Sequence, residues 1–273
     1  MKLRRHFDQI IINIILVVIA VFTFVPLLTL LTLSFKDIDQ FNNQPMGLSF
    51  PLNFQNYAMA WKFMQDPLWH NIIVGITAPA LSISMAAITA FVLARFNFAG
   101  RPLLFGVLLL SLLVPNTILF VPLFQLIIQI GAQNTLWALI LPYAANQALT
   151  IFVTHSFYKD MPSEMFDAAK MDGANTLDSF FYIALPLSTP ILSAMAIFQV
   201  WLIWNDYAWP SLVANSNEAR TAVTGLIYFN DFSRPEPGAG MAAAVLAALP
   251  MLVLFIFTMR TFVAGLTAGA IKE

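Results

Sequence analysis

Six stretches of this sequence run for about 20 residues or more with no Asp, Glu, Lys or Arg near their centres, at approximately 10–34, 69–94, 102–122, 136–157, 187–209 and 241–262. A hydrocarbon core of about 30 Å is crossed by roughly 20 residues of helix at about 1.5 Å per residue, so each stretch is long enough to span a bilayer. In lipid every backbone N–H and C=O must find its partner inside the protein, which leaves the helix as the form such runs take. The chain is therefore expected to be an all-α membrane protein with six transmembrane helices. Composition agrees, because 59% hydrophobic against 10% charged residues cannot be hidden inside a soluble core of 273 residues.

The first run follows KLRR, which invites comparison with a secretory signal. Its apolar part is too long, and no small-residue cleavage site follows before Lys36, so it is expected to persist as the first span. Lys and Arg set the expected orientation. With the N-terminus inside, nine of them (Lys2, Arg4, Arg5, Arg95, Arg101, Lys159, Lys170, Arg260 and Lys272) face the cytoplasm, against four outside: Lys36, Lys62, Arg220 and Arg234. Both termini are thus expected in the cytoplasm of a bacterial cell, with a cytoplasmic loop at 159–186 between spans four and five. Pro26, Pro79, Pro115, Pro142, Pro190 and Pro250 fall inside the runs and delete backbone donors, which predicts kinked helices compensated by neighbours. No repeat or linker divides the chain, so residues 1–273 are expected to form a single domain.

Several chemistries are excluded. A net charge of −1 with 13 Lys plus Arg offers no phosphate-neutralising face for nucleic acid. With Cys 0 there is no disulfide framework and no thiolate metal site, and nothing in the residues calls for a cofactor. No Gly-Lys dipeptide occurs, so the chain has no phosphate-binding loop of the ATPase type and is not expected to be an enzyme. The span centres lack the ionisable groups of a proton-driven carrier, and His70, His155 and Arg260 lie near span ends, where a structural role is the commoner one. The GAGMAA run at 238–243 follows Pro237 with no strand before it and is no dinucleotide fingerprint.

The loop MPSEMFDAAKMDGANTLDSFFYIALP (161–186) reads as two short helices around a glycine. Pro162 suits a first turn, Glu164 and Asp167 lie toward the positive helix end, and Gly173 is expected to stop the helix in a left-handed conformation. Asn175 and Asp178 have capping-box spacing, and Pro186 is expected to close the second helix near the membrane. Met165, Ala168, Ala169 and Asp172 form one small, partly apolar stripe. An amphipathic loop resting on the inner leaflet would account for such a stripe. With Asp160, Glu164, Asp167, Asp172 and Asp178, however, this loop is ill suited to an anionic surface, and a cytoplasmic protein partner fits better.

At these residues the chain resembles the permease subunits of ABC importers, and within them the second permease subunit of maltose-type carbohydrate importers. Their loop reads approximately Glu-Ala-Ala, three residues, Gly, then Ile-x-Leu-Pro, and here Ala168, Ala169, Gly173, Ile183, Leu185 and Pro186 match, with Asp167 standing in place of Glu. LSFK at 33–36, ARFNFAGR at 94–101, WNDYAWP at 204–210 and the tail FVAGLTAGAIKE at 262–273 extend the resemblance over nearly the whole chain. It implies that the loop is a coupling helix docking on an ATPase through Asp167, Ala168, Ala169, Gly173, Leu185 and Pro186. It also implies a second homologous permease subunit, two cytoplasmic ATPase subunits, and an external binding protein that delivers a sugar or sugar-like solute.

Two sets of residues are candidates for the solute pathway. In QVWLIWNDYAWP (199–210), Trp201, Trp204 and Asn205 stand at i, i+3 and i+4, combining aromatic faces for sugar C–H surfaces with an amide for hydroxyls. The same residues are what an interfacial aromatic belt places at that depth, and the belt is the commoner explanation. Asn146 and Gln147 in span four serve either as pathway lining or as polar contacts between helices. The readings left open are a sugar permease, a permease for another solute class, and a membrane scaffold that recruits a cytoplasmic protein.

Overall fold

The computed structural model describes residues 2–231 and 236–270, with side chains described for 9–231 and 236–259. Every regular element among them is helical. Five helices are long and apolar enough to cross a membrane, containing Gln9–Leu33, Gln55–Arg95, Trp137–Asp160, Thr176–Asn205 and Pro237–Met259, and one bent pair brings the apolar segments to six. The tail at 262–273 lies outside the residues whose side chains are described.

Span three differs from expectation. In place of one helix over 102–122, Arg101–Ser111 is followed by a short tight turn Asn116–Leu119 and the helix Phe120–Gln129, bent by 96° from the first. Pro115 lies in the break: it has no N–H to donate and it biases Val114 away from the helical region. Span four also breaks, at Asn146–Gln147, between Trp137–Ala145 and Ala148–Asp160. Span five stops at Asn205, four residues before the expected end, because Asp206 turns the chain and its Oδ1 accepts from the N–H groups of Ala208 (2.9 Å) and Trp209 (3.4 Å), capping the next helix Ala208–Val213. At its other end the helix is longer than expected, since Thr176–Asn205 is continuous through a π turn at Ser179–Ala184. Pro186 therefore does not close a helix. It follows a wide turn in which Leu185 N–H reaches back to Phe180 O, so the missing proline donor is absorbed within an already irregular ladder.

The chain forms two compact units, residues 1–65 with 225–250, and 66–224 with 251–273. In the first, Asp37 caps Ile38–Asn43 through a reciprocal box with Gln40. The buried Asn56 donates from Nδ2 to Ser34 O and Lys36 O, both at 2.9 Å, and Lys36 Nζ donates to Gln44 O. Gly238 lies against this knot, where an added Cβ would collide with Lys36 O and Asn56. The second unit holds two apolar clusters. One is built on Phe91, Tyr158, Phe166 and Phe180, and the other on Val74, Leu139, Ile203 and Trp209.

Candidate functional site

The loop between spans four and five folds much as its local chemistry dictates. Ser163–Met171 is helical, and Gly173 follows with φ 88°. Gly173 N–H donates to Lys170 O (3.0 Å) and Ala174 N–H to Ala169 O (2.9 Å), the paired closure of a Schellman motif. Asn175 Oδ1 accepts from Leu177 N–H (2.8 Å) and Asp178 N–H (3.0 Å), while Asp178 Oδ2 accepts from Asn175 N–H (3.0 Å), completing the expected box.

Asp167 and Ala168 are exposed and Ala169 is half-buried, so the small stripe is presented outward. Asp167 pairs with Lys170 at 3.7 Å on the surface, a contact that contributes little by itself. Leu185 packs against the aromatic cluster and Pro186 is exposed. The opposite side of the helix was not legible as an anchor: Phe166 is buried in that cluster, with its ring under the guanidinium carbon of Arg95 at 3.9 Å. A lone aromatic on an otherwise small, acidic helix was the signal available.

The second feature is a cavity of about 370 Å³ formed where spans three, four and five are all irregular. Asn146 lies on it at the break of span four, and Trp201 and Asn205 line it from the last turns of span five. Asn205 Nδ2 donates to Trp201 O at 2.8 Å, which ties the amide to the tryptophan one turn back. The remaining two candidates do not join them. Trp204 is buried, and the Asn71 amide reaches its backbone oxygen at 3.5 Å. Gln147 Nε2 donates to Ala144 O (2.8 Å) and lies 3.5 Å from Met85 Sδ, closing the helix break.

Leu202 and Ile203 add apolar lining, and four polar residues that the sequence did not single out complete it: Asn116, Tyr143, Gln199 and Asp206. Tyr143 donates its hydroxyl to Asp206 Oδ2 at 2.7 Å. Gln199 Nε2 donates to Thr150 Oγ1 (2.7 Å) and Ser82 Oγ (3.1 Å), and its carbonyl oxygen is buried without a partner. Asn116 and Tyr143 carried a faint signal, since each lies beside a proline within an apolar run. The lining thus combines amides, a phenol and an indole with one carboxylate, and none of its residues is Lys, Arg or His.

The two histidines in the spans have partners within the protein: the His155 ring packs on Phe105 with centroids 4.3 Å apart and planes tilted by 38°, and His70 Nδ1 lies 3.1 Å from Arg220 O. Among the described residues no group of acidic or histidine side chains could hold a metal ion.

Comparison with known proteins agrees with this architecture. The chain is 34% identical to the arabinooligosaccharides transport system permease protein AraQ of Halalkalibacterium halodurans over 93% of its own length and 92% of the relative's. It is 30% identical to the diacetylchitobiose uptake system permease protein NgcG of Streptomyces coelicolor, over 94% and 87% respectively. Its fold is similar to a chain in the crystal structure of a bacterial ABC transporter that imports the acidic polysaccharide alginate, with a TM-score of 0.82 at 16% identity over 94% of this chain and 97% of that one. Residues 82–267 match the family described as binding-protein-dependent transport system inner membrane component, and the chain belongs to that family.

Proposed function

We propose that this chain is a permease subunit of an ABC importer and forms half of the translocation pathway for a neutral, hydroxyl-rich saccharide. The observation that carries the solute class is the cavity lining, in which amide, phenol and indole groups surround a single carboxylate with no cation among them. Amides pair with sugar hydroxyls and an indole stacks on the C–H faces of the ring. A uronic-acid polymer or a phosphate would meet the Asp206 carboxylate there with no cation in the lining to offset its own charge. The relatives named for arabinooligosaccharides and diacetylchitobiose support a short oligosaccharide.

In this reading residues 1–273 act as one permease domain with both termini in the cytoplasm. A second homologous permease supplies the other half of the pathway, and an external binding protein delivers the solute. Two cytoplasmic ATPase subunits hydrolyse ATP. One of them receives the loop through the outward face of Asp167, Ala168 and Ala169, held at its angle by the Gly173 turn and tied to span five through Leu185 and Pro186. A scaffold that moves nothing has no support from a family of transport components.

The test is ATP hydrolysis by the reconstituted importer across a panel of solutes presented by its binding protein. Neutral di- and oligosaccharides are expected to stimulate hydrolysis, and uronic-acid oligomers of equal length are not. Stimulation by the acidic oligomers alone would overturn the neutral assignment.

A further inference from the structure

We infer that Arg95 is a positioning residue that carries movement of the loop 161–186 into span two and along it to the wall of the polar cavity. The inference rests on that loop being the docking site of an ATPase. The loop is joined covalently to spans four and five, so those spans follow it directly. Span two has no such link, and the structure supplies one.

Arg95 is the last residue of the helix Gln55–Arg95. Its Nη2 donates to Met161 O at 2.9 Å, at the entry to the loop, and its guanidinium carbon lies 3.9 Å from the centre of the Phe166 ring inside the loop. Among the described residues no carboxylate oxygen lies within 4.0 Å of it, so its direct contacts are the loop backbone and the loop aromatic, while the loop's Asp167 acts on its charge from farther off. One turn earlier the buried Phe91 meets both halves of the loop, with ring centroids 6.3 Å from Phe166 and 5.2 Å from Phe180.

The other end of the connection is at Ser82. Its Oγ accepts from Gln199 Nε2 at 3.1 Å, and Gln199 lines the cavity. From Ser82 to Arg95 the sequence contains neither Gly nor Pro, whereas Pro79 stands just beyond. The thirteen helical rises from Ser82 to Arg95 cover about 20 Å as a stiff rod, and bending is concentrated where proline interrupts the ladder. A shift imposed at Arg95 therefore arrives at Ser82 before the first flexible point can absorb it. Gln199 is held by Ser82 on one side and Thr150 of span four on the other, so relative movement of those spans must rearrange it.

The experiment uses the whole importer in proteoliposomes, with any cysteines of the other subunits replaced; this chain has none of its own, so a single fluorophore is placed at Leu202, an exposed residue of the cavity lining, through Leu202→Cys. In Arg95→Met the ATPase subunits are expected to remain bound and to hydrolyse ATP within about twofold of the parent, while uptake falls about tenfold, so that ATP consumed per solute rises. The ATP-dependent fluorescence change at position 202 is expected to disappear with it. Arg95→Lys, which keeps a cation and a donor at the loop entry, is expected to restore roughly half of both signals. An unchanged ratio of ATP to solute, or a full fluorescence response in Arg95→Met, overturns the inference. Loss of the ATPase subunits from Arg95→Met also overturns it, making Arg95 a docking residue. Failure of the docking reading is separately visible, because Asp167→Lys in the parent would then leave the ATPase subunits attached.

Discussion

Tyr143 in the first half of span four and Asp206 at the end of span five are joined by a 2.7 Å hydrogen bond from the phenol to the carboxylate, and both residues line the polar cavity. The same carboxylate caps Ala208–Val213 through its other oxygen, so one side chain ends span five, starts the next helix and faces the candidate pathway. Tyr143→Phe removes a hydrogen bond to a charged group, and a loss of about 1.5–3 kcal/mol in stability is expected. Asp206→Asn keeps an oxygen for the cap and is expected to cost less than Asp206→Ala, which loses cap and phenol partner together, the cap alone accounting for about 0.5–2 kcal/mol. Unfolding midpoints of the purified complex in denaturant rank the three; Asp206→Asn as damaging as Asp206→Ala would remove the cap from the account.

At Gly173 an added Cβ would meet nothing within 4 Å, so the site is open in space but costly in conformation, with φ at 88°. Gly173→Ala is expected to cost about 1–2 kcal/mol, Gly173→Asn less, and Gly173→Val more, because β-branching worsens the left-handed conformation. Membrane insertion is expected to be normal in all three. Uptake and co-purification of the ATPase subunits should fall in the order Asn, Ala, Val, and a Val variant that transports normally would show that this turn does not aim the loop.

Trp201 and Trp204 are three residues apart yet occupy different surroundings, the first 51% exposed on the cavity and the second 6% exposed in the interior. Trp201→Ala and Asn205→Ala are expected to reduce solute-stimulated uptake with assembly and basal ATP hydrolysis preserved. Trp204→Ala is expected to destabilise the complex by about 3–5 kcal/mol, as large-to-small changes in a packed core do. The reverse pattern, assembly lost at Trp201 and spared at Trp204, would favour an interfacial belt over solute contact.

Orientation is tested by single cysteines at exposed positions. Asn42→Cys and Glu218→Cys are expected to react with a membrane-impermeant thiol reagent on intact spheroplasts, and Ala99→Cys and Lys170→Cys only after lysis. Labelling at position 170 without lysis would place the loop outside and end the coupling argument.

Features that depend on a few adjacent residues were legible beforehand. Apolar run length located five spanning helices and the apolar stretch that the structure bends into a pair, and the Gly173 turn and the Asn175–Asp178 box followed from hydrogen bonds reaching three to five residues along the chain. The sequence by itself therefore determined the helical class, the approximate spans and the shape of the loop. Where those local rules failed, the cause was also local but competing: Asp206 could end a helix as well as sit in one, and the π turn let Pro186 continue a helix it was expected to close.

The cavity was decided by tertiary structure alone. Asn116 and Asp206 come from the break of span three and the end of span five, Tyr143 and Gln199 from within helices of spans four and five, and Gln199 is fixed by Ser82 and Thr150, which lie 117 and 49 residues away in the chain. Spacing along one helix could group Trp201, Trp204 and Asn205 but could not say which of them faces a neighbour, since that depends on how the helix is rotated in the packed unit. Phe166 was hidden for the same reason: an aromatic on a short helix becomes an anchor only when Arg95 and Phe91 of another span lie beneath it. Periodicity fixes which residues share a face, whereas the identity of what that face meets is set by packing between segments remote in sequence.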